Sequence, residues 1–190
     1  MMRLGGTRVF GGIAVALLAL PALVLAASKL TENWKDVQKA MDEAKITPTK
    51  AVEAAEALSK GKAVAVTAAV KDKAVNFTVH TVAGGKCQAV TVDKAGKAGE
   101  SKDPSAGACA GCGDSVKAME AGKFSLASAI KAAEDHSKGK AFAASCETKA
   151  GNTETQVACA VGDKAVIVTV DKTGKATKME DDKPAPKPGG

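Results

Sequence analysis

Val90-Thr91-Val92-Asp93-Lys94 returns as Val168-Thr169-Val170-Asp171-Lys172, and each copy continues x-Gly-Lys. Working outward, Ser59-Lys60-Gly61-Lys62-Ala63 returns as Ser137-Lys138-Gly139-Lys140-Ala141, and Lys39-Ala40-Met41 as Lys117-Ala118-Met119. The three matches share one offset of about 78 residues without a gap. A bias toward Ala and Lys can produce scattered matches, but not three blocks in one register. The chain is a duplicated module, and each copy checks the reading of the other.

In the first copy, Trp34, Val37, Met41 and Ala44 follow helical spacing, with Thr31 as the expected N-cap. Thr47-Pro48 places a cap and then Pro at the first position of a second helix, which should run to about Lys60 and stop at Gly61. The second copy offers Asp114 and Ser125 as helix starts and Gly139 as a stop. Leu126, Ala129, Ile130 and Ala133 form one apolar face. After each glycine the period becomes two: Val64, Val66, Ala68 and Val70, then Val75, Phe77 and Val79, then Val90 and Val92, matched by Val166, Val168 and Val170. The expected fold is α+β, two tandem copies of a helix-helix-three-strand antiparallel module with helices on one sheet face.

Residues 1–27 read as a signal peptide. Arg3 and Arg8 precede an apolar run from Val9 to Ala27 that contains Pro21 and ends on small residues. An uncleaved anchor is the competing reading, because the run approaches spanning length. Repeat one then spans 28–98, a linker with Cys109 and Cys112 spans 99–113, repeat two spans 114–176, and a Pro- and Lys-rich tail, expected to be disordered, spans 177–190. Cleavage removes both arginines of the chain and lowers the formal charge from +6 to about +4. Without arginine, and with few aromatic rings, nucleic-acid binding has little support. The expected location is periplasmic or secreted, with no stable membrane anchor after cleavage.

The order of these motifs resembles the PepSY domain family. Ser125-Leu126-Ala127-Ser128-Ala129-Ile130-Lys131-Ala132-Ala133-Glu134 is similar to the family's opening helix. Val168 to Lys175 is similar to its closing strand and Asp-x-x-Gly-Lys turn, and the first copy repeats both more loosely. The resemblance implies a PepSY or cystatin-like helix-on-sheet layout. It also implies a non-catalytic binding or regulatory role on a protein or peptide partner of the cell envelope, a peptidase among the candidates, with no catalytic residues and no cofactor. The layout of two such units also resembles secreted β-lactamase inhibitor proteins.

An oxidising compartment favours disulfides. Cys109-Ala110-Gly111-Cys112 reads as a linker disulfide. The alternative is a redox-active or metal-handling pair, since Cys112 would sit just before a helix N-terminus. Cys146 aligns with Ala68 and Cys159 with Thr81, both on the inward face, with the Gly151-Asn152 turn almost midway between them. A structural Cys146–Cys159 disulfide follows, worth about 2–3 kcal/mol. Cys87 is then the odd, unpaired thiol, with a bond to the linker cysteines or to a second molecule as alternatives. His80 and His136 share no ligand spacing, and no metal site is expected. No serine sits in a nucleophile-elbow pattern.

Overall fold

The computed structural model describes residues 33–104, 111–149 and 151–181. The expected signal peptide and Thr31 cap lie outside them. Each copy contributes two helices and four strands. In the first these are α1 (Trp34–Ala44), α2 (Pro48–Ser59), β1 (Lys62–Lys71), β2 (Ala74–Ala83), β3 (Lys86–Val92) and β4 (Ala98–Lys102). In the second they are α3 (Cys112–Gly122), α4 (Leu126–Ser137), β5 (Lys140–Lys149), β6 (Asn152–Val161), β7 (Lys164–Val170) and β8 (Ala176–Asp181). Trp34 and Cys112 open equivalent helices, and Pro48 and Leu126 the next two, at the offset of the sequence repeat.

Local chemistry explains these elements. Thr47 caps α2 by accepting from Lys50 N at 3.3 Å, with Pro48 at the first helical position. Ser125 and Ser128 form a reciprocal capping box on α4. Each helix ends on a lysine in the left-handed conformation, Lys45, Lys60, Lys123 and Lys138. Gly61 and Gly139 follow two of them for another reason. A Cβ on Gly139 would stand 2.5 Å from the Ala160 carbonyl oxygen, and one on Gly61 would stand 2.7 Å from that of Val82. Close approach of the helix exit to the neighbouring strand demands glycine here.

The expected three-strand sheet gains a fourth strand in each copy. Ala98–Lys102 had the composition of a linker and Ala176–Asp181 that of a tail, yet each pairs with the strand before it through a tight turn. The turn is built by an aspartate: Asp93 Oδ1 accepts from Ala95 N at 2.9 Å and Lys97 N at 3.0 Å. Asp171 repeats this with Thr173 N at 2.8 Å and Lys175 N at 3.2 Å. The Thr173 hydroxyl, donating to the same Oδ1 at 2.6 Å, and after it these backbone bonds hold the Asp171 carboxyl below its ordinary range. Both added strands are short, polar and exposed, as sheet edges usually are.

The eight strands form one antiparallel sheet in the order β4-β3-β2-β1-β5-β6-β7-β8. β1 meets β5 at its centre, with Ala65 opposite Ser145, Val66 opposite Ala144 and Thr67 opposite Ala143. Under the repeat offset Val66 is the counterpart of Ala144, so the register maps onto itself. A local two-fold relation therefore passes through that pair, as in the isologous interface of a homodimer. The two copies are fused halves of one sheet rather than beads on a linker.

One row of residues crosses the sheet: Val90, Val79, Val66, Ala144, Val157 and Val168, all buried. Against this face pack Val52 and Ala55 of α2 and Ala129, Ile130 and Ala133 of α4, in one core continuous across both copies. α1 reaches over to β5, and α3 to β1, so each first helix covers the seam. An ion pair, Lys140 Nζ to Asp42 Oδ1 at 2.6 Å, ties the halves together on one side. At the equivalent place across the axis, Lys62 and Glu120 line an open groove.

Candidate functional site

Two regions stand out, one shared by the copies and one that distinguishes them. The shared region is the sheet face opposite the helices. Its central rows run Thr91, Thr78, Thr67, Ala143, Ala158, Ile167 and, alongside, Ala89, His80, Ala65, Ser145, Gln156, Thr169. Short side chains dominate; Ala143 and Ala158 at its centre are themselves buried, and the helices and the rest of the core lie on the other side. His80 sits in the middle of this face, as its alternation with Phe77 and Val79 required. Partial burial there lowers its pKa from the ordinary 6.5.

The distinguishing region lies where α3 starts on β5. In the first copy Trp34, Val37, Ala68, Val75 and Phe77 form an apolar group under α1, with exposed Val70 at its edge. The equivalent residues of the second copy are Cys112, Ser115, Cys146, Thr148, Thr153 and Thr155. Six neighbouring positions have exchanged rings and aliphatic groups for thiols and hydroxyls. The hydroxyls are connected. Buried Ser115 Oγ donates to the Cys146 carbonyl at 3.1 Å and lies 3.4 Å from Thr148 Oγ1, which is 2.8 Å from Thr153 Oγ1. Thr155 Oγ1 is buried without a well-formed hydrogen bond, leaving its dipole to the Cys146 thiol beside it.

The cysteines differ from their expected roles. Cys146 and Cys159 both face the core, as expected, but both are free thiols. The register explains why. Cys146 pairs with Thr155, and Cys159 with Ala141, because the hairpin turns between Lys149 and Asn152, earlier than the midpoint of the two cysteines. Four residues of strand, about 13 Å, separate Cys159 from Cys146's partner position, beyond the reach of a disulfide. Cys159 is the most perturbed of the three free thiols: burial pushes it up to about 11, with the Ser137 hydroxyl opposing that rise.

Cys112 is also a free thiol, so no Cys109–Cys112 bridge closes the linker; Cys109 itself lies outside the described residues. Cys112 is the first residue of α3, with Gly111 as N-cap, and Asp114 lies inside the first turn rather than capping it. Cys112 is half-buried against the core. Burial first, and then the neighbouring Cys146, raise its pKa. Cys87, expected to be unpaired, is disulfide-bonded. Among the described residues, therefore, three thiols are free, all in the second copy, and the bonded cysteine lies on β3 of the first.

Sequence reasoning missed the cluster because it read each copy for what the repeat shared. The signal was present in the aligned copies, as the positions where apolar residues turned polar together.

No family model matches the chain, and no curated protein matches it significantly. Among solved structures, the chain is similar to a Clostridium difficile 630 protein provisionally described as a lipoprotein. That likeness has 16% identity and a TM-score of 0.44 over 72% of this chain and 93% of that one. It is also similar to a Bacteroides eggerthii DSM 20697 protein provisionally described as periplasmic, at 11% identity and a TM-score of 0.24 over 72% and 89%. Likenesses this remote carry no argument about function. No helix among the described residues is long and apolar enough to cross a membrane.

Proposed function

We propose that this chain is an exported, non-catalytic binding or regulatory protein of the PepSY type that holds a protein or peptide partner of the cell envelope. The observation that carries the reading is the single eight-stranded sheet with its core on one side. It leaves a broad opposite face of Ala, Thr and Ser side chains. Such a face presents short side chains that lose little rotamer freedom on contact. The charged N-terminal leader and apolar run support export. Modulation of a peptidase is the specific form that the PepSY resemblance suggests.

The test is photo-crosslinking. A photoreactive residue at Thr67 or Thr78, both on the open face, should capture one discrete envelope partner. The same probe at Lys39, on the exposed side of α1, should not. Equal, diffuse labelling from both faces would sink the reading.

A further inference from the structure

We propose that Cys112 and Cys146 form a dithiol site that undergoes thiol–disulfide exchange with a disulfide-bearing oxidant, reversibly stapling α3 to the sheet. This goes beyond the binding role and does not depend on it. Three observations carry it. First, Cys112 and Ser115 are one helical turn apart and share a face of α3. Ser115 is bonded to the backbone of Cys146, so the face bearing Cys112 is seated on that strand position. Cys112 is packed against the core cluster that contains Cys146, and the two thiols are near enough to interact electrostatically. Second, both thiols are free, so the site is in its reduced form. Third, the first copy has Trp34 and Ala68 at these positions. The fold needs no thiol there, and the exchange of six neighbouring side chains is confined to one copy.

The chemistry balances with an oxidant of the disulfide class. The Cys112 thiol, half-exposed at the helix start, gives up its proton and attacks the oxidant, releasing one thiol and forming a mixed disulfide. The Cys146 sulfur then displaces the second thiol from Cys112, and its proton leaves with that group. Two protein thiols become one disulfide, and one disulfide becomes two thiols. The surrounding hydroxyls of Ser115 and Thr155 ease the buried charge on Cys146 as it forms.

The experiment uses the full mature chain and oxidised glutathione as the probe, with peptide mapping under non-reducing conditions. The expected product is a Cys112–Cys146 cross-linked peptide, two hydrogens lighter than the dithiol and reopened by reduced glutathione, with Cys159 still alkylated after unfolding. Cys146→Ser should stop the reaction at a glutathione adduct on Cys112. The proposal is overturned by a lasting adduct on Cys112 in the unsubstituted chain, or by a Cys109–Cys112 bridge in its place. Unreacted Cys112 and Cys146 in a chain with native circular dichroism would overturn it equally.

Discussion

Thr81 Oγ1 is fully buried with no hydrogen-bond partner, and its counterpart in the second copy is Cys159. A buried hydroxyl without a partner costs about 1–3 kcal/mol, so Thr81→Val, nearly isosteric, should stabilise the fold by about 1–2 kcal/mol in urea denaturation. A loss of stability would mean that the hydroxyl has a partner. His80 gives a pH-dependent effect. Its imidazole titrates lower in the fold than in the unfolded chain, so the unfolded state binds the extra proton as pH falls. The stability His80 confers is complete above its unfolded pKa, about 6.5, and declines as pH drops through that value toward the lowered folded one. His80→Gln should flatten the melting temperature across that window, and an unchanged slope would contradict the assignment. At this scale the sequence was least legible. Facing directions followed from the period of two, but disulfide partners depended on a turn centred one residue before the expected Gly151-Asn152 and so farther from the midpoint of the two cysteines.

At the scale of elements, the turns and helix exits carry the testable strain. Asp72 and Lys73 join β1 to β2, both with positive φ, at 52° and 61°. A side chain in that region costs about 1–2 kcal/mol, and glycine is favoured at the second position of such a hairpin turn. Lys73→Gly should raise the melting temperature, reflecting about 1 kcal/mol. A decrease would show that the lysine makes a stabilising contact. Gly139→Ala should act in the other direction. The added methyl meets backbone oxygen 2.5 Å away on β6, and overpacking of this kind costs about 1–3 kcal/mol. The helices were readable because Thr47-Pro48 and Ser125 are strong local caps. The edge strands Ala98–Lys102 and Ala176–Asp181 were not, since their polar residues match linker composition and only pairing with β3 and β7 makes them strands.

At the scale of the whole molecule, the duplication was legible in three sequence blocks, but their fusion was not. Strand pairing between β1 and β5 leaves no local signature, because Val66 and Ala144 look like any inward-facing residues. The repeat suggested two modules on a linker, whereas the register across the local two-fold axis makes one sheet and one core. That unity is the central claim. The chain's single tryptophan, Trp34, stands in the first copy alone and reports on it selectively. The decisive measurement is urea unfolding followed in parallel by Trp34 fluorescence and far-ultraviolet circular dichroism, for the native chain and for Val157→Ala. The fully buried Val157 belongs to the second copy, and its truncation should cost roughly 2 kcal/mol. One fused unit predicts coincident transitions and a Trp34 midpoint lowered by this distant change. Separate transitions, with the Trp34 midpoint indifferent to Val157→Ala, would show two independent modules and contradict the account.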